Sequence, residues 1–261
     1  MENKLDILKL KAKYVRISSE DKTSNSVNNS RFEVNLNQTG TSIDRVAGYA
    51  VKYAACPNIF PNVPSYANVL SITKQTGAVV YDITIPVGQY TLSNFITQLQ
   101  SSINSVIAPD SVTITETNGF LSFTWVGDQY SFNPDQSTIN DIIGVTSQAQ
   151  GIFFTTATLS NPVNLTGESE LYIHSKTLNN AGLIEPSGSF AVVDILPLNV
   201  QYGGVAYSNY NDIILHEKQY VPYESLRTLR TVDIVLRNRN GEVLVLPDNF
   251  YFNMILIIYY Q

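Results

Sequence analysis

Two histidines, one cysteine and scattered carboxylates are the groups in this 261-residue chain that could carry chemistry. A Ser or Cys nucleophile needs a base within reach, a zinc site needs several Cys or His ligands at short spacing, and glycoside hydrolysis needs two facing carboxylates. His174 alternates with Tyr172 in SELYIHS and His216 precedes Glu217 in NDIILHE, so each stands singly on a strand-like run. Cys56 is the lone cysteine, which rules out an internal disulfide, and with two His residues it cannot complete a zinc site of the common kind. Gly167-Glu168-Ser169 comes nearest to a nucleophile elbow but reads as a turn before a strand. Gly203-Gly204 lies among tyrosines and opens no helix, so neither a phosphate loop nor a dinucleotide fingerprint is present. Asp110, Glu116, Asp128 and Asp135 read as single turn carboxylates, and Asp194 within FAVVDIL as an edge charge or the buried partner of an Arg. The expectation is a chain that is not an enzyme, with no catalytic residues, no cofactor and no metal.

What remains are residues suited to contact. Tyrosine is in excess, at 16, and several tyrosines fall in Asn- and Gly-containing stretches. Tyr pairs a large apolar face with a polar tip at small entropic cost, which suits protein interfaces. Tyr202, Tyr207, Tyr210, Tyr220 and Tyr223 are therefore candidate subunit-interface residues. Arg227, Arg230, Arg237 and Arg239 form the local basic cluster, open to a strand's wet face, a protein neighbour or nucleic acid; Arg227 and Arg230 join the interface candidates. Trp125 closes FLSFTW and is assigned to a core.

Composition narrows the class further. Charged residues make up only 15% against 44% hydrophobic, with Asn, Ser, Thr and Tyr filling the polar surface. The net charge of −6 repels phosphate backbones and disfavours nucleic acid as a partner. The N-terminus alternates charge with Leu and Ile and lacks a signal peptide's apolar core, so secretion by that route is not expected. The final run NFYFNMILIIYYQ is too short for a membrane span, which needs roughly 20 apolar residues. Both its faces are largely apolar, and Ile255 and Ile257, on the face opposite Phe252, Met254, Leu256 and Ile258, complete the interface candidates.

Strand-period alternation recurs through LDILKLKAKYVRIS, RFEVNL, IDRVAGYAVKYAA, VVYDITI, SVTITE, FLSFTW, SELYIHS, FAVVDIL, NDIILHE and TVDIVLRN. Asn118-Gly119 and Asn240-Gly241 mark hairpins, the second returning through EVLVL. One segment changes period: in TLSNFITQLQSSIN, Leu92, Phe95, Ile96, Leu99 and Ile103 recur at helical spacing behind a Thr91 cap. STINDIIG adds a short helical turn with Ser137 or Thr138 as cap and Gly144 as stop, and Ser19 to Ser30 reads as a mobile polar loop. The chain is mainly β, with a small α+β module at 71–158 inserted between two halves, 1–70 and 159–261, of one discontinuous β domain.

Taken in order, the polar loop, RFEVNL, IDRVAGYAVKYAACPNIFPNV, IPVGQYTLSNFITQLQSSIN, DIIGV, NPVNLTGESELYIHSKTL and RTVDIVLRNRNGEVLVLP with its terminal apolar strand resemble the penton or minor capsid proteins of virophages, polinton-like viruses and related double-stranded DNA viruses. The resemblance spans about residues 14–260, with Arg237 and Asn238 standing where an acidic residue is usual before the last hairpin's Arg-Asn-Gly. It implies an antiparallel jelly-roll sandwich, tolerant of a loop insertion, that forms homopentamers at the fivefold vertices of an icosahedral capsid. It implies as partners the chain itself, the major capsid protein and other capsid subunits. It places the protein in the virion, assembled inside the host cell. A receptor- or glycan-binding spike or head on a β-sandwich is the alternative.

Overall fold

The structure, a computed structural model, describes residues 10–36, 42–178, 191–209 and 220–261. Chain order begins with β1 (Lys11–Ser18), β2 (Arg31–Asn35) and β3 (Ile43–Pro57). It continues through β4 (Val69–Lys74), β5 (Val80–Thr84), α1 (Leu92–Ile107), β6 (Ser111–Thr117), β7 (Phe120–Val126), β8 (Tyr130–Phe132), α2 (Asn140–Ile143) and β9 (Thr156–Thr158). It closes with β10 (Glu170–Ser175), β11 (Ala191–Pro197), β12 (Val205–Asn209), β13 (Val221–Leu229), β14 (Thr231–Arg237) and β15 (Asn253–Tyr260). Two compact units result, residues 1–60 with 168–261, and 61–167. Residues 61–70 and 159–167, which alternation alone leaves with the β domain, belong to the second unit because their polar groups pair inside it. Asn62 donates to the carbonyls of Tyr90 and Leu165, and the Val163 and Asn164 amides donate to Gly119 and Ile142.

The first unit is a jelly-roll sandwich of two antiparallel sheets. One runs β1-β15-β3-β12, with β13 also on β3; the other runs β11-β10-β14-β2. β3 is long enough to share its edge, giving residues 53–57 to β12 and 43–49 to β13. Alternation decides what lies between the sheets: Phe32 and Val34 of β2, Val232, Ile234 and Leu236 of β14, and Met254, Leu256 and Ile258 of β15 fill one core. Burying each such side chain is worth about 1.5–3 kcal/mol, so sheet pairing in this register is strongly specified. The terminal apolar run is thus a central strand, hydrogen-bonded to β1 on one side and β3 on the other.

Two expectations for this unit change. EVLVL forms no strand: it makes the single Arg237–Val243 bridge, with the Leu244 amide on the Leu236 carbonyl, and the Leu246 amide then turns to the Ser30 hydroxyl at 2.6 Å. Nor does the polar stretch before β2 hang loose. Asn29 is fully buried and donates to the carbonyls of Pro247 and Phe250 at 3.0 and 2.9 Å, tying this loop to the entry of β15. Of the strand-like runs, NDIILHE with His216 lies outside the described residues.

The second unit has two three-stranded sheets, β5-β4-β8 and β6-β7-β9, and α1. Thr91 caps α1 by accepting the Asn94 amide, and Phe95, Leu99, Ile103 and Ile107 form its buried stripe. Asn118 and Gly119 both take positive φ, 54° and 86°, as the two-residue turn of a hairpin requires. α2 starts from Ile139, with no side-chain cap. Ser137 and Thr138 turn to β4 instead, accepting the amides of Ser71 and Val69. Among the described residues no helix is long and apolar enough to cross a membrane.

Candidate subunit-contact surface

The five-stranded sheet has one face in the core and one turned away from it, and strand register fixes which residues share the outer face. Tyr207, Ala55 and Asn253 align across β12, β3 and β15; Asn209, Tyr53, Ile255 and Arg16 form the next row; Ala50, Ile257 and Tyr14 the row beyond. Tyr207 is 66% exposed, Tyr14 58%, Val205 54% and Tyr202 52%. Tyr14, Val205 and Tyr207 are thus open on one sheet face, and Tyr202 is open in the turn before β12. Lys52, bulged out of the β3–β15 register, holds its ammonium 4.8 Å from the Tyr14 ring centroid. Arg16 donates to Asn253 at 3.2 Å, so the basic groups on this face are tethered rather than loose.

The interface candidates divide. Tyr202, Tyr207 and Arg230 are exposed, and Ile255 is half-buried on the outer face. Tyr220 is half-buried and held in place: its hydroxyl donates to the Ala47 carbonyl at 3.0 Å and its ring meets Tyr259 edge-on at 5.1 Å. Burial, then Tyr259, raises its pKa.

Two candidates are buried within the chain itself. Tyr223 points into the sandwich, its ring 5.9 Å from that of Tyr49 and tilted 46° to it, with Arg227 over its ring, because inward positions of β13 alternate back onto β3; burial, then Tyr49, raises its pKa. Ile257 is 1% exposed within this chain, wedged between Tyr14 and Ala50 in the register. Tyr210 lies outside the described residues. Tyr14, Tyr53 and Val205 were not singled out by composition. The pairing of β1 and β12 onto the β15–β3 pair brings them together, and no local pattern reports that pairing.

The groups considered for catalysis fall elsewhere. Cys56 is fully buried, and burial pushes its thiol up to about 12, which leaves it inert. Asp110 and Asp128 do converge in the second unit, but on a cation: Lys74 Nζ stands 2.6 Å from Asp110 and 3.8 Å from Asp128, and Tyr130 donates to Asp110 at 2.7 Å. The Glu116 carboxylate accepts the Gly119 amide in the hairpin turn. Among the described residues no three His, Cys, Asp or Glu side chains group as metal ligands would.

The sequence matches no protein-family model and no curated protein significantly. The structure is similar to the crystal structure of mavirus penton protein, with a TM-score of 0.51 at 9% identity, over 95% of this chain and 99% of that one. The likeness at that identity is one of fold.

Proposed function

We propose that this chain is a non-enzymatic structural protein of a viral capsid: the penton, assembled as homopentamers at the fivefold vertices beside the major capsid protein and other capsid subunits. The observation that carries the proposal is the fold likeness to a penton protein, which extends over nearly the whole length of both chains. A ring of identical subunits closes through head-to-tail contacts, one patch of each subunit meeting a different patch of the next. The outer face bearing Tyr14, Tyr53, Val205, Tyr207 and Ile255 supplies one such patch. On this proposal the protein resides in the virion after assembly inside the host cell.

A glycan-binding head would need an open aromatic platform. Trp125, the residue suited to it, is 5% exposed and stacked 4.6 Å from Tyr130 in the second unit's core, which favours the capsid role. Mass measurement tests the proposal: purified chain at high concentration, with and without capsid proteins, should sediment near five times its 29.0 kDa. A strict monomer under both conditions would refute it.

A further inference from the structure

A bulge in β3 sets a lysine on the outer face of the five-stranded sheet. β3 pairs with β15 at Val51 with Leu256 and at Tyr53 with Ile255, and Lys52 is the extra residue between them. Bulges re-aim side chains, and this one puts Lys52 and Tyr53 on the outer side while Val51 stays in the core. The Lys52 ammonium stands 4.8 Å from the Tyr14 ring centroid, a cation–aromatic contact that orders a long, flexible side chain before any partner arrives. Among the described residues no carboxylate lies within ion-pair distance of it, the ion pairs being Arg16 with Glu20 and Lys74 with Asp110 and Asp128. Arg16, on the same face, is already answered by Glu20 at 3.4 Å and Asn253 at 3.2 Å.

The distribution of charge along the chain says what belongs against Lys52. The strands of this sheet hold six basic residues, Lys11, Lys13, Arg16, Arg45, Lys52 and Arg227, and two acidic ones, Asp44 and Glu224. The whole chain has 16 basic and 22 acidic residues, which leaves ten basic against twenty acidic outside the sheet. A second copy of the chain therefore carries the surface of opposite sign, and a head-to-tail contact joins two different patches.

We propose, resting on the capsid-ring reading above, that Lys52, steadied by Tyr14, receives a carboxylate from the acidic surface of the neighbouring copy. An exposed ion pair is worth little, but one enclosed as two subunits close is shielded from salt, and removing one partner leaves the other unpaired in the interface.

The test uses the full chain, alone and with capsid proteins. By sedimentation, Lys52→Arg should associate as the wild type does. Lys52→Met should associate at least about thirtyfold more weakly, and Lys52→Glu more weakly still, because like charges then meet. Added salt should weaken the wild type more than Lys52→Met. Carbodiimide, which joins an amine to a carboxylate already in contact with it, is then applied to a mixture of isotope-labelled and unlabelled chains. A link from Lys52 to an Asp or Glu, uniting one labelled and one unlabelled peptide, is expected, and it should vanish in Lys52→Arg although assembly persists. A ring formed as strongly by Lys52→Glu as by the wild type would overturn the proposal and leave the penton reading standing. A wild-type chain that never associates would overturn both. Lys52 linked to other capsid proteins alone would overturn the choice of a second copy as occupant. Should Lys52→Glu fail to fold, the cross-link on the wild type decides the question.

Discussion

Tyr220 lies directly over the backbone of Gly48: a Cβ placed there would stand 2.6 Å from its ring and 2.4 Å from the Val221 carbonyl oxygen. The contact explains how β13 seats on β3, where Val221 faces Tyr49 and Pro222 faces Gly48. Gly48→Ala must push β13 outward and strain the Tyr220–Ala47 hydrogen bond. Overpacking of this kind costs about 1–3 kcal/mol. Denaturation of G48A should show that loss, while Tyr220→Leu in the same background should recover part of it by giving the new methyl a more yielding neighbour.

Asn29 makes a second prediction about the jelly roll. Its side-chain amide is the donor to two carbonyls, those of Pro247 and Phe250, that lead into β15, and Lys22 donates to its oxygen. Asn29→Ala strands these groups in a buried position, which costs about 1–3 kcal/mol. Hydrogen exchange should show faster opening of the β15 entry in N29A than at β10, where no such contact is lost.

The charged cluster of the second unit sets its pH range. Hydrogen bonds from Lys74 and Tyr130 hold Asp110 below its ordinary 3.8, and a Thr76 hydrogen bond does most to lower Asp128. The hydrogen bond to Asp110 raises Lys74 above 10.5. A depressed carboxylate stabilises the fold above its ordinary value and loses that contribution as pH falls through the lowered one; a raised amine stabilises below its ordinary value and loses it as pH climbs past the raised one. Urea denaturation followed through Trp125, the sole tryptophan and a second-unit residue, should be flat in between and weaken at both extremes. In Lys74→Met the two carboxylates face each other without a cation, so its deficit relative to wild type should shrink in acid.

Neighbouring isoleucines on β15 should behave differently. Ile257, 1% exposed in the chain itself, belongs to folding, and replacing it with a smaller side chain costs about 2–5 kcal/mol. Ile255 is only half-buried on the outer face with Tyr207 nearby in the register. Ile257→Ser should lower the melting temperature sharply. Ile255→Ser combined with Tyr207→Ser should leave melting nearly unchanged and weaken association measured by sedimentation; the reverse pattern would move the contact off this face.

Much of the β architecture was legible because burial on one face writes a period of two into each strand, as in RFEVN and TVDIVLR, and a period of 3.6 into α1. Asn118-Gly119 announced its turn because few residues adopt positive φ cheaply. What failed to show was set by partners distant in sequence. EVLVL returns only as far as Leu244, whose amide donates to the Leu236 carbonyl; the Leu246 amide turns to the Ser30 hydroxyl instead, though the run of Asn and Ser around Ser30 looked like loose loop. The same cause separates the contact candidates. Tyr207 and Tyr223 look alike in the sequence, yet the pairing of β12 turns one outward while the bulged pairing of β13 turns the other into the core.

The central claim is that this chain forms the vertices of a capsid. A cryo-EM map of the intact particle tests it most directly. The claim predicts five copies of the jelly roll arranged around each fivefold axis, with the outer face of the β1-β15-β3-β12 sheet buried against neighbouring capsid protein. Density for a different protein on those axes, with this chain elsewhere in the particle or absent from it, would contradict the claim.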